Sequence, residues 1–282
     1  MAHAFSVHAQ LATPLRAPCP DQSSFDPAAA AEGTDLPRRW PGRGLIEALR
    51  LQAGEHVLEV GCGHGELGAW VAERLGPKGR MAGVEPLPLR VVMASRRHPR
   101  FEVHEGRAEA LTAFAAASFD AVYLNGVFPR LAQPSLALSE ARRVLRPGGR
   151  IGLSCVDAQR PHDAHRLVHQ ALLDEGLLRE TPQARRYAPI GGARLQRLLE
   201  DGALIHVEWQ ARSVTDCVGG AAELLARGHD HGFGIQLSEL DEAQLLRLQR
   251  RLEALLGARP AAAGWRLQRH FLIATAIKPS YS

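Results

Sequence analysis

The stretch VLEVGCGHGELG, Val57–Gly68, runs from an apolar segment carrying one carboxylate into alternating glycines and then into residues with helical spacing. A main chain that bare, directly after a strand, lets the backbone approach a ligand and open a helix beside it. Strand and helix signals alternate around it. A helix is expected over Gly42–Leu51 and strands over His56–Val60, Arg80–Val84, Phe101–His104, Phe119–Leu124 and Arg150–Val156. Helices at Leu67–Leu75, Leu89–Arg97 and Ser135–Leu145 fall between them, two ending at Gly76-Pro77 and Pro147-Gly148-Gly149. That rhythm predicts an α/β fold: a Rossmann-like, doubly wound, mostly parallel sheet with helices on both faces.

Beyond Asp157 the rhythm changes. Helices are expected at Pro161–Asp174 and Ala193–Leu199, a strand at Leu204–Val214, helices at Asp216–Arg227 and Glu239–Leu256, and a last strand at Phe271–Ile277. Seven strands result, with a helical cap inserted at about 216–258. Met1 to about Arg39, rich in Ala, Pro, Asp and Ser without a sustained period, predicts a mobile leader before a domain over 40–282.

At 282 residues the chain is one large domain or a domain with a sizeable insertion. Lys and Arg number 34 against 30 Asp and Glu, the excess is dispersed, and aromatics are 5%, which leaves a nucleic-acid or membrane-surface role unsupported. No apolar run approaches the roughly 18 residues of a membrane span. Cys19, Cys62, Cys155 and Cys217 show no paired spacing and read as reduced thiols of a cytoplasmic protein.

The literal string GHGELG, Gly63–Gly68, fits the dinucleotide pattern GxGxxG, but only with Gly61 and Cys62 interposed after the strand. Anchored on the strand end, Glu66 stands where the third glycine belongs. The register that fits is E-x-G-x-G-x-G, over Glu59, Gly61, Gly63 and Gly65. Alternate glycines pass beneath a flat, bulky ligand, and a carboxylate two residues earlier suits a positive amino group. S-adenosylmethionine has both properties.

On these residues the chain resembles the class I S-adenosylmethionine-dependent methyltransferases, nearest to the subgroup of ubiquinone and menaquinone biosynthesis enzymes. VLEVGCGHG resembles the first motif, GVEP (Gly83–Pro86) the acidic end of the second strand, and EGRAEAL (Glu105–Leu111) the third. SFDAVYLNGVFPRL (Ser118–Leu131) resembles the fourth motif, EARRVLRPGGRIGLS (Glu140–Ser154) the turn into the fifth strand, and HFLIATAIKP the last strand. The resemblance implies a cofactor site of Glu59, Gly61, Cys62, Gly63, Gly65, Glu85, Pro86, Arg107, Ala108, Glu109 and Asn125. Glu85 would take both ribose hydroxyls, two donors for two oxygens. The sequence departs from the family at Arg107, where an acceptor for the adenine amino group is usual, and at Pro129-Arg130, where a His-His pair is common.

The implied reaction is methylation of oxygen, carbon or nitrogen on a small, largely apolar metabolite. The alternatives are an NAD(P)-dependent oxidoreductase and a non-catalytic module on the same fold. In-line methyl displacement asks for alignment and exclusion of water more than for a base. The candidate catalytic groups are Tyr123 and Asn125 at the fourth strand's end, and His165 and His229 beyond the fifth. His165 and His169 stand one helical turn apart, a spacing shared by metal pairs and ordinary helix surfaces. No third ligand is evident and no metal is expected.

Overall fold

A computed structural model describes residues 36–179, 190–227, 233–257 and 264–280. The elements run α1 (Leu36–Leu49), β1 (His56–Val60), α2 (Glu66–Leu75), β2 (Arg80–Glu85), α3 (Pro88–Arg97), β3 (Glu102–Glu105) and β4 (Phe119–Asn125). A 3-10 turn at Phe128–Arg130 leads to α4 (Pro134–Val144), β5 (Leu145–Val156), α5 (Asp163–Asp174), α6 (Gly192–Asp201) and β6 (Ile205–Val218). After these come α7 (Ala221–Ala226), α8 (Gly234–Ser238), α9 (Glu242–Leu256) and β7 (Trp265–Ile277). Of the expected leader, residues 1–35 lie outside the described residues, while Leu36–Arg39 already belong to α1.

The seven strands form one sheet in the order β3-β2-β1-β4-β5-β7-β6. Pairings among β1 to β5 are parallel, and β7 runs antiparallel to β5. The expected doubly wound, mostly parallel sheet is therefore what forms. β1 lies between β2 and β4, so the chain reverses its direction of travel across the sheet there. In open α/β sheets, ligands bind outside the strand ends at such a point.

Successive residues of each parallel strand serve opposite faces. Leu58, Val122 and Ile151 pack with Leu138, Ala141 and Val144 of α4 and with Leu195 and Leu199 of α6. Val57, Ala121 and Tyr123 pack on the other face with Leu45 and Leu49 of α1 and with Val71 and Leu75 of α2. Complete burial of each large apolar side chain contributes about 1.5–3 kcal/mol, so two covered faces hold the sheet edge rigid. Glu59 falls on the second face, where the alternation calls for an apolar residue.

The described residues divide into two compact units. The sheet unit holds 36–161, 190–214 and 270–280; a helical unit holds 162–179, 215–227, 233–257 and 264–269. The helical unit has its own core of Val168, Leu172, Leu224, Leu248, Leu252 and Leu267. Gln268 donates its backbone N–H to Asp163 at 2.7 Å, and Trp265 Nε1 donates to the Leu256 carbonyl at 3.0 Å. A capping box at Asp241 and Gln244 opens α9.

This unit draws on more than the expected 216–258 stretch, since 162–179 belongs to it. The helix expected from Asp216 is a strand to Val218, because Thr215 and Val218 suit extended backbone and Gly219-Gly220 delays the helix to Ala221. Cys62 and Cys155 are free and buried, but Cys217 is disulfide-bonded, which corrects the expectation of reduced thiols throughout. Spacing along a chain carries no information about thiols brought together by folding. Among the described residues, no helix is long and apolar enough to cross a membrane.

Candidate functional site

The glycine loop leaves β1 over the end of β2, and the N–H groups of Gly61 and Cys62 both donate to the Val84 carbonyl, at 2.7 and 3.1 Å. Gly61 has φ +76°, and a Cβ there would overlap Cγ2 of Val127. Gly63 has φ +59°, yet a Cβ there would meet nothing within 4 Å. Left-handed backbone requires glycine at both positions; at Gly63 it also leaves open space above the loop. Gly65 caps the start of α2.

One aromatic ring supports this loop from beneath. Phe101 lies where Cβ atoms on Gly65, Gly68 or Gly83 would stand, between 2.5 and 3.1 Å away. The sequence pattern marks Phe101 only as the start of a strand. Its signal was a lone aromatic in the polar run His98-Pro99-Arg100-Phe101-Glu102.

Two acidic residues flank the loop. Glu85 is 3% exposed. Its Oε2 accepts from the Gly63 N–H at 3.0 Å and its Oε1 from the Leu87 N–H at 3.2 Å, with Arg90 3.8 Å away. Glu59 is equally buried, in register with Gly83 on β2 and Tyr123 on β4. Its Oε2 has no hydrogen-bond partner. Burial, with the charges of Glu66 and Glu85 adding to it, pushes the Glu59 carboxyl up to about 8. The nearby Tyr123 hydroxyl and Gly68 N–H act against that shift.

Tyr123 is fully buried, and its hydroxyl faces Glu59 without completing a well-formed hydrogen bond. Tyr123 is thus a wholly buried member of the core, not an exposed side chain at the strand end. The Cys62 thiol is pushed up by burial and then by Glu59 and Glu85, which keeps it protonated and inert.

The third motif reaches the same edge through Gly106, whose N–H donates to the Glu85 carbonyl at 3.2 Å. Ala110 N–H returns to the Arg107 carbonyl at 3.0 Å, closing a turn over Arg107–Ala110. Ala108 is buried in that turn. The Arg107 side chain is 67% exposed, with Nε 3.7 Å from Glu109 Oε2. Glu109 Oε1, by contrast, is buried without a partner. Glu140 anchors the turn from α4 by accepting the Leu111 N–H at 2.8 Å, and Arg143 binds the carbonyls of Leu111 and Phe114.

Glu59, Gly61, Cys62, Gly63, Gly65 and Glu85 are thus brought together, with Arg107, Ala108 and Glu109 joined through Gly106. Pro86 is exposed just past Glu85. Asn125 ends β4, its Oδ1 accepting from the Ser154 hydroxyl at 2.6 Å. His165 belongs to the helical unit, its ring stacked 4.8 Å from Phe233 and 6.2 Å from His169. His229 lies outside the described residues. Among the described residues, no group of three or more His, Cys, Asp or Glu is arranged to hold a metal.

A seven-stranded sheet in this order, with a bare loop after β1 facing a buried carboxylate at the end of β2, defines the class I methyltransferase fold. Residues 58–153 match the family model described as a methyltransferase domain. The chain is 35% identical over 141 residues to methyltransferase GfsG of Streptomyces halstedii, covering 48% of each chain. It is 31% identical over 125 residues to demethylmenaquinone methyltransferase of Symbiobacterium thermophilum, covering 42% of this chain and 49% of that one. The chain therefore spans about half the length of these curated relatives. Among solved structures, phosphoethanolamine N-methyltransferase 2 of Haemonchus contortus, in complex with phosphomonomethylethanolamine and S-adenosylhomocysteine, shares the fold. The TM-score is 0.53 at 15% identity, covering 84% of this chain and 52% of that one.

Proposed function

We propose that the protein transfers a methyl group from S-adenosylmethionine to oxygen, carbon or nitrogen of a small, largely apolar metabolite. The observation that carries this reading is the open space at Gly63, a residue whose N–H is held by the buried Glu85 carboxylate. The orphaned oxygens of Glu59 and Glu109 fit the same ligand, since buried acceptors without donors are costly unless something binds them.

When bound, S-adenosylmethionine supplies a methyl group already activated on a sulfonium. The chain's own residues then bind and orient. Glu85 takes the ribose hydroxyls, exchanging or sharing the acceptor sites now used by Gly63 and Leu87. Glu59 faces the ammonium end, while Glu109 accepts from the adenine amino group in place of the acceptor that Arg107 cannot be. Pro86 flanks the adenine, and Asn125 stands at the end of β4, held by Ser154. Alignment in such a pocket supplies most of the acceleration an in-line displacement needs.

The acceptor class is supported by the relative named for demethylmenaquinone. A cavity of about 150 Å³ in the sheet unit has Phe128, Leu131, Ile190 and Leu198 on its walls, with Ser135 and Arg194 beside them.

Calorimetric titration with S-adenosylmethionine and with NAD(H) and NADP(H) tests the cofactor. Binding of the first alone is expected, and nicotinamide binding without it refutes the reading. Transfer of a labelled methyl to candidate quinone and phenol acceptors, read by mass spectrometry, tests the reaction. Tight cofactor binding without transfer to any acceptor favours a non-catalytic module.

A further inference from the structure

Glu59 is a buried ionisable group whose protonation state a contact with the cofactor does not by itself fix. It is 3% exposed, and a partnerless oxygen of its carboxyl lies 2.8 Å from the position a Cβ on Gly68 would occupy. The groups facing it come from every neighbouring element. β4 presents the Tyr123 hydroxyl, the loop presents the Cys62 thiol, α2 presents Glu66 and the Gly68 N–H, and β2 presents Glu85. None of these is a cation. The nearby guanidinium groups are engaged elsewhere, Arg90 at 3.8 Å from Glu85 and Arg97 at 3.7 Å from Glu66. A lone carboxylate in such surroundings is strongly disfavoured.

We infer that Glu59 couples cofactor binding to proton release: the side chain is a carboxylic acid in the free protein and becomes a carboxylate when a ligand ammonium lies against the glycine loop. The inference rests on the cofactor reading above and adds regulation to that site. The direction follows from linkage. Free Glu59 is raised to about 8, chiefly by burial, so it carries a proton at neutral pH. An adjacent cation favours the ionised form. Binding therefore expels the proton to solvent, and affinity rises with pH until the free carboxyl is itself ionised. Below that point the dissociation constant falls about tenfold per pH unit when one proton leaves per ligand bound.

The test is isothermal titration of the full chain with S-adenosylmethionine at pH 6.0 and 7.5. In that range the ligand's own α-amino group, with a usual value of about 7.7–8.0, stays largely protonated. Repeating each titration in two buffers of different ionisation enthalpy counts the protons. The expected result is release of about one proton at pH 6.0 and a gain in affinity of roughly 30-fold by pH 7.5. Methylthioadenosine, which lacks the amino-acid portion, is expected to bind without releasing a proton.

Glu59→Gln is expected to bind S-adenosylmethionine with no proton release and no dependence on pH over this range. Binding of wild-type protein with equal affinity at both pH values and no proton exchange overturns the inference while leaving the cofactor reading intact. Proton release by Glu59→Gln, or equal release with methylthioadenosine, also overturns it. Absence of S-adenosylmethionine binding at either pH overturns the cofactor reading, and the inference falls with it. The wild-type proton count decides the matter even where the variant fails to fold.

Discussion

The amide of Gly63 donates to Oε2 of Glu85 across 3.0 Å, so the second strand's last side chain holds the first loop in place. Oε1 of the same carboxylate holds the following turn through Leu87. Glu85→Ala removes both acceptors, and hydrogen bonds to a charged group are worth about 1.5–3 kcal/mol each. We expect the dissociation constant for S-adenosylmethionine to rise at least ~30-fold, together with a lower melting temperature. Calorimetry checks the first and thermal unfolding the second; an unchanged dissociation constant removes Glu85 from the ribose site.

Gly61 and Gly63 separate stability from binding. Both have positive φ, which costs an alanine about 1–2 kcal/mol. At Gly61 the added methyl also overlaps Val127, and overpacking adds about 1–3 kcal/mol. Gly61→Ala is therefore expected to unfold markedly earlier in urea. Gly63→Ala is expected to lose only about 1–2 kcal/mol but to weaken cofactor binding tenfold or more, because its methyl enters the open space. Equal losses of stability in the two variants contradict this assignment.

Glu59 makes a prediction about folding as well as binding. Its carboxyl is raised from an ordinary value of 4.5 to about 8 in the folded chain. Between those values the folded chain holds a proton that the unfolded chain has lost. Stability is then greatest below 4.5 and falls by about 1.4 kcal/mol per pH unit as pH rises toward 8. Glu59→Gln removes that slope, so the variant is expected to be more stable than the parent at pH 8 and close to it at pH 5. Urea denaturation at both pH values measures the difference, and parallel profiles count against a protonated Glu59.

In the helical unit, Asp241 accepts from the Gln244 N–H at 2.8 Å, and the Gln244 side chain accepts the Asp241 N–H at 3.0 Å. Asp241→Ala exposes both donors at the start of α9. We expect a loss of about 1 kcal/mol, read by chemical denaturation.

The parallel half of the sheet was legible because its signals are local. Apolar runs such as VLEV and AVYL, punctuated by glycine and proline, place β1 to β5 to within a few residues, except where β5 already begins at Leu145. Elsewhere local signals misled. Pro41 and Gly42 hide the first turns of α1, which is helical from Leu36 with Pro41 inside it. Polar residues at Arg266, Gln268, Arg269 and His270 concealed the first half of β7. For the candidate site, motif spacing singled out the loop glycines and Glu85, which the fold brings side by side. What spacing does not carry is burial. That Tyr123 lies wholly in the core, that Glu59 stands in an apolar layer, and that Glu109 rather than Arg107 turns inward all depend on what packs across the strands.

The ring of Phe101 occupies a slot bounded by three glycines from three different segments, Gly65, Gly68 and Gly83. None of the four positions is free to vary by itself, since a methyl at Gly68 or Gly83 collides with the ring, one at Gly65 crowds it on an already left-handed backbone, and a smaller residue at Phe101 leaves three bare backbones facing a void. Across homologues they should drift as a set, exchanging ring for bulk together, so that the floor of the loop is inherited as one unit.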